Sequence, residues 1–150
     1  MSSLRVLVTG GAGFIGSSLC EALIAKGHTV VALDSLFRGS EENLASITDH
    51  ERFAFCQGDV RDIDALDACV ESLGGVDLIY HLAAVNGTKW FHEAAHSVID
   101  VNINGTLRTL ELAMANDAKY VFASSPEAFG EAQSQPITDG DAMVFTDPKL

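Results

Sequence analysis

The stretch Thr9-Gly10-Gly11-Ala12-Gly13-Phe14-Ile15-Gly16 decides the fold of this chain. Its glycines at 10, 13 and 16 make a G-x-x-G-x-x-G pattern, and a G-x-G-x-x-G runs from Gly11. Such a pattern is informative only in context, and the context is present on both sides. Upstream, Leu4–Thr9 (LRVLVT) is a β-rich apolar run; downstream, Ile15, Leu19 and Leu23 recur at helical spacing. A strand, a glycine turn and a helix in that order are the start of a dinucleotide-binding unit. Each glycine has a task there: Gly10 permits the tight turn, Gly13 lets backbone approach a pyrophosphate, and Gly16 allows close packing of helix and sheet. The amides of Phe14 and Ile15 are then expected to face phosphate at the helix N-terminus.

Working outward, the same alternation repeats. His28–Asp34 (HTVVALD), Arg52–Cys56 (RFAFC), Val76–His81 (VDLIYH) and Lys119–Ser124 (KYVFAS) read as strands two to five. Between them Ile63, Leu66, Val70 and Leu73 mark one helix, and Ile103, Leu107, Leu110 and Met114 a longer one. Near-continuous apolar strands separated by helices predict an α/β fold with a doubly wound parallel sheet, of order 3-2-1-4-5. Asp34 closes the second strand, where an acid accepts hydrogen bonds from the adenosine ribose hydroxyls. Its carboxylate would repel a 2′-phosphate, so NAD is expected over NADP. Arg38, four residues on, is the one side chain in that loop suited to a 2′-phosphate, or to the adenine edge.

The bulk properties agree. The chain has 150 residues, 47% apolar and 20% charged, with a formal net charge of −12. That charge argues against nucleic acid, which demands a basic face. Backbone amides and a helix dipole still suit a small phosphate-bearing ligand. No apolar run approaches a membrane span, and no signal peptide is expected. Cys20, Cys56 and Cys69 are widely separated, without metal-ligand spacing, and read as structural thiols in the cytoplasm. His92 and His96, at i and i+4, are expected on a solvated helix face, and no metal is called for. His81 reads as a structural histidine at a strand end. Residues 1–130 are taken as the dinucleotide-binding domain. Glu131–Leu150 is polar, holds two of the chain's three prolines, and reads as irregular.

Six segments in order, VTGGAGFIG (Val8–Gly16), DSLFRGS (Asp34–Ser40), GDVRD (Gly58–Asp62), HLAA (His81–Ala84), VNINGT (Val101–Thr106) and VFASSPEAFG (Val121–Gly130), resemble the extended short-chain dehydrogenase/reductases. Within that superfamily the resemblance is to NAD-dependent nucleotide-sugar epimerases and dehydratases, and it spans residue 4 to about 130. It implies a Rossmann domain that binds NAD through Ser35, Arg38 and Gly39 beside Asp34. It implies that Asp59 receives the adenine amino group with Val60 beside it, and that Leu82, Ala83 and Ala84 line the adenine–ribose channel. Asn102 is implied to shape the nicotinamide and sugar side, with Ser124 at the end of the fifth strand. Ser125 takes the catalytic Ser/Thr position that orients the sugar's reacting hydroxyl. Glu127, two residues on, resembles the proton-transferring glutamate of dehydratases and decarboxylases. Pro126 and Phe129 depart from the pattern, where an aspartate and a tyrosine are usual.

The superfamily's Tyr-x-x-x-Lys is absent, since neither Tyr80 nor Tyr120 has a lysine four residues later. The chain is therefore expected to be part of a larger enzyme, truncated before its later strands and substrate domain, and inactive alone. That enzyme would oxidise a nucleotide sugar at C4 and then epimerise, eliminate or decarboxylate it. The other reading is a non-catalytic NAD-binding sensor or interaction module. A homodimer is left open.

Overall fold

The computed structural model describes residues 3–125, 128 and 136–138. Five strands, β1 (Arg5–Thr9), β2 (Thr29–Asp34), β3 (Phe53–Gln57), β4 (Leu78–His81) and β5 (Lys119–Phe122), form one sheet in the order β3-β2-β1-β4-β5. All four pairings are parallel. The expected order is thus the observed one. It follows from two right-handed series of crossovers running outward from β1 in opposite directions, leaving a crevice between β1 and β4.

Pleating splits each central strand between two cores. Val6 and Val8 of β1 join Val30 and Ala32 on one face, under Cys20, Leu23 and Ile24 of helix α1 (Phe14–Ala25). Leu7, Val31, Leu33 and Ile79 join Leu66, Cys69 and Leu73 of α2 (Ile63–Leu73) and Ala113 of α4 (Ala95–Ala115) on the other. Full burial of an aliphatic side chain stabilises by about 1.5–3 kcal/mol, so β1 and β2 anchor the domain. The uniform burial expected of all five strands holds for those two. β3 and β5 are the sheet's edges among the described residues, and β5 is largely exposed.

Two elements were not foreseen: a 3₁₀ turn at Glu41–Leu44 and a short helix α3 (Thr88–Glu93). The second separates His92 from His96. The chain leaves helical geometry at Ala94 (φ −146°), so the two histidines lie on different helices and share no face. The α4 stripe is also turned relative to a simple amphipathic reading. Ile99, Ile103, Leu107, Leu110 and Met114 are exposed, and Val98, Gly105, Thr109 and Ala113 face inward. Among the described residues no helix is long and apolar enough to cross a membrane.

Candidate functional site

A cleft of about 880 Å³ opens along the carboxyl ends of the strands, in the size range of small-molecule and cofactor sites. Its floor is the glycine turn. Gly10 takes φ +71°, and a Cβ there would lie 2.9 Å from the backbone of Leu82 and Ala83. The turn is therefore pressed directly against the end of β4. A Cβ at Gly16 would come within 2.1 Å of the Gly10 carbonyl oxygen, so this glycine lets the start of α1 pack closely on the turn that follows β1.

The start of α1 is bare. Its N-cap is Gly13, which supplies no side-chain acceptor, and no acid stands in the first turn. Helix α2 shows the usual alternative: Asp62 caps it by accepting from the Asp64 amide, and Asp64 adds a carboxylate. The first amides of a helix need partners, and those of α1 open onto the cleft beside Phe14 and Ile15. Those two apolar side chains are 89% and 71% exposed, a surface suited to being covered.

Asp34 lies at the neighbouring wall. Its carboxylate accepts the Ala12 amide through Oδ2 at 3.0 Å and the Leu36 amide through Oδ1 at 2.8 Å. Both oxygens are thus fixed, and each retains an unused lone pair on a residue that lines the cleft. Gly39 packs on the same carboxylate, where a Cβ would sit 2.9 Å from either oxygen. Ser35 lines the wall, and its hydroxyl accepts the Phe37 amide. Arg38 reaches across the cleft: its Nη1 donates to the Asn86 carbonyl at 2.9 Å and to the Asn86 side chain. Phe37 meets Trp90 of α3 beside this contact, with ring centroids 4.7 Å apart.

On the opposite wall Asp59 does not cap α2. It grips Arg61, accepting from Nε at 2.9 Å and Nη2 at 2.6 Å, while Arg61 also pairs with Asp100 on α4. The guanidinium holds the Asp59 carboxyl below the usual carboxylate range. Val60 is buried and lines the cleft, with its methyl against Gly105 of α4. Leu82, Ala83, Ala84 and Ser124 complete the lining.

Two expected residues stand apart. Asn102 does not line the cleft; it clamps the Val85 backbone, accepting its amide at 2.8 Å and donating to its carbonyl at 2.9 Å. Among the described residues its link to the site is through that loop. Ser125 is exposed and outside the lining, and its carbonyl accepts the Ala128 amide. Glu127 lies outside the described residues. The lining also includes Arg61, Val85, Asn86, Phe37 and Trp90, which sequence reasoning missed. Two of them lay inside the quoted motifs, Arg61 two residues after Asp59 in GDVRD and Phe37 in DSLFRGS. Among the described residues no cluster of His, Cys, Asp and Glu could hold a metal ion.

With this geometry, a model of the NAD dependent epimerase/dehydratase family matches residues 6–148. The chain belongs to that family. It is 35% identical over 133 residues to UDP-glucuronic acid decarboxylase 1 of Arabidopsis thaliana, covering 89% of this chain and 29% of the relative. It is 37% identical over 142 residues to the UDP-glucose 4-epimerase of Mycolicibacterium smegmatis, covering 89% and 45%. Among solved structures, UDP-glucose-4-epimerase from Stenotrophomonas maltophila with bound NAD and formylated UDP-arabinopyranose superposes with a TM-score of 0.82. That match has 30% identity and spans 94% of this chain and 43% of the epimerase. The chain thus spans less than half the length of these relatives. NAD, the cofactor expected from Asp34 and the glycine turn, is the one on which this family depends.

Proposed function

We propose that this chain holds NAD along the carboxyl edge of its sheet, as the cofactor-binding portion of an enzyme that remodels a nucleotide sugar through transient oxidation at C4. The observation that carries the reading is the bare start of α1 at the floor of the cleft, next to the anchored carboxylate of Asp34. The amides of Phe14 and Ile15 would take the pyrophosphate, favoured by the positive end of the helix dipole. The free lone pairs of Asp34 would accept the adenosine ribose hydroxyls. Asp59 and Val60 would flank adenine, and Leu82, Ala83 and Ala84 would floor the ribose channel. Bound NAD would supply the hydride acceptor for the sugar's C4.

The relatives' epimerase and decarboxylase activities support a nucleotide sugar as substrate. C4 oxidation is a first step that serves epimerisation, dehydration and decarboxylation alike. Ser125 would orient the reacting hydroxyl, and Glu127 would transfer a proton next to the C4 ketone. The site needs no nucleic acid and no membrane. The free thiols of Cys20, Cys56 and Cys69 fit a cytoplasmic setting. A homodimer would have the exposed apolar stripe of α4 available to it.

Calorimetric titration of the 150-residue chain with NAD and NADP tests the reading. NAD should bind at least roughly tenfold more tightly, the worth of about 1.4 kcal/mol. Equal or tighter NADP binding would remove the role given to Asp34, and no binding of either would remove the proposal.

A further inference from the structure

The dinucleotide reading accounts for the cleft's lining but leaves out a buried side chain beneath it that is hydrogen-bonded through both ring nitrogens. His81 ends β4 and is buried, with neither ring nitrogen open to solvent or to the cleft. Its Nδ1 lies 2.8 Å from the Thr9 hydroxyl at the end of β1. Its Nε2 lies 3.1 Å from the Thr106 hydroxyl on α4. The proton positions follow from the partners. Thr106 donates its single hydroxyl proton to the Asn102 carbonyl at 2.7 Å, so at Nε2 the imidazole must be the donor. Nδ1 then carries the lone pair and accepts from Thr9, whose oxygen in turn accepts the Ala83 amide at 3.3 Å. Donors run in one sense from Ala83 through Thr9 to His81, and from His81 through Thr106 to Asn102. No proton in the series lacks an acceptor.

Both ends of the series touch the cleft wall. Ala83 lines it, and Asn102 clamps Val85 by two hydrogen bonds. There is no slack toward the glycine turn, because the Leu82–Ala83 peptide already lies against Gly10. We infer that His81 is a positioning residue of the cofactor cleft: a neutral imidazole, protonated on Nε2, that ties the carboxyl ends of β1 and β4 to the middle of α4 and so sets the Leu82–Val85 wall against the glycine turn. The inference rests on the dinucleotide reading above. Burial supports the neutral form, holding the His81 pKa down to about 4. A charged ring would donate from Nδ1 into Thr9 and leave the Thr9 hydroxyl proton without an acceptor. The rings of Tyr120 and Phe122, stacked on His81 with centroids 6.0 Å away, give it an apolar surround.

A side chain that merely fills the core would, when replaced, lower thermal stability and leave cofactor affinity alone. The experiment separates the two. NAD dissociation constants and melting temperatures are measured for the wild-type chain, Thr9→Val, Thr9→Ser and His81→Phe, none of which alters a residue of the lining. Thr9→Val keeps the shape and removes the hydroxyl, and should raise the NAD Kd roughly tenfold, as for an unsatisfied buried partner. Thr9→Ser restores the hydroxyl and should return Kd to within about threefold of wild type. His81→Phe should behave as Thr9→Val; if it fails to fold, the Thr9 pair decides. Nitrogen-15 spectra of the wild-type imidazole should show the Nε2–H tautomer, still neutral at about pH 5.5. Thr9→Val and His81→Phe that melt lower but bind NAD like wild type would overturn the inference, as would an Nδ1–H or charged ring at that pH. A wild-type chain that binds no NAD would instead strike down the dinucleotide reading, and this inference with it.

Discussion

Asp34→Asn should cost this chain much more than a charge. Both carboxylate oxygens accept backbone amides, Ala12 at 3.0 Å and Leu36 at 2.8 Å. An asparagine has one carbonyl oxygen and one NH₂, so either orientation sets a donor against a donor. The residue is almost fully buried, with Gly39 packed against it, which leaves no room to swing the amide away. Losing one hydrogen bond to a charged acceptor costs about 1.5–3 kcal/mol, and the stranded amide lies at the upper end of that range. For a domain of this size about 2–3 kcal/mol lowers Tm by roughly 4–12 °C. Calorimetric melting of wild type and Asp34→Asn at one pH measures it, and a parallel titration with NAD and NADP should show the preference for NAD largely lost. A variant that melts within about 2 °C of wild type would refute the reasoning, because the two anchoring bonds would then contribute nothing.

Gly16→Ala places a Cβ within 2.1 Å of the Gly10 carbonyl oxygen, which is backbone and cannot swing aside; urea unfolding should show a loss above about 3 kcal/mol, or no folded protein. His81 should make stability fall with acid. Its pKa drops from an ordinary 6.5 to about 4 on burial, so between these pH values the unfolded chain binds a proton that the folded chain refuses. The His81 contribution, read as the difference between wild type and His81→Phe, should therefore decline by about 3 kcal/mol from pH 6.5 to 4 and stay constant below. There the depressed carboxyls of Asp59, Asp77 and Asp100 destabilise both proteins alike. Tyr120, stacked on the same ring, ionises above its ordinary range and adds nothing there. In a longer polypeptide that turns over a nucleotide sugar, Ser125→Ala should lower kcat by roughly 10²-fold without moving the NAD Kd, read by steady-state kinetics and titration.

The features legible in the sequence were those fixed by local chemistry. The glycine turn needs φ > 0 at Gly10 and backbone proximity at Gly16, and only glycine supplies both, so the motif survives as letters. The strand order followed from β-α alternation and handedness. Helix α4 shows the limit. Its apolar period is real, yet Ile103, Leu107 and Met114 point outward, and the inward face is Gly105, Thr109 and Ala113. Periodicity finds a stripe without saying which side the sheet occupies. The tie is broken by the Val60 methyl, which would lie 2.5 Å from a Cβ at Gly105, a contact between residues 45 apart in sequence. The Arg61–Asp100 pair and the Arg38–Asn86 bridge were hidden for the same reason. Each joins side chains whose neighbourhood is created by tertiary packing.

Those two arginines also bear on how so acidic a chain would hold an anionic ligand and discriminate, on the proposed reading. The described cleft lining carries Arg38 and Arg61 against Asp34 and Asp59, and these formal charges cancel. Arg61 is committed further, since it is shared by Asp59 and Asp100. A pyrophosphate therefore finds no surplus side-chain cation, and the attraction has to come from the uncapped amides at the start of α1. Such donors hold a phosphate at one fixed place, the glycine turn, and offer nothing to a second phosphate at the far end of the adenosine. There an additional 2′-phosphate would meet the Asp34 carboxylate, anchored by two amides and unable to retreat. To be neutralised it would need Arg38, whose Nη1 is held by the Asn86 carbonyl and side chain across the cleft. Releasing that bridge would also free the loop after β4 that Asn102 clamps from behind. On the proposed reading, selectivity for NAD would rest on the anchored Asp34 carboxylate and on the commitment of Arg38 and Arg61, the cations of the described lining, to other partners.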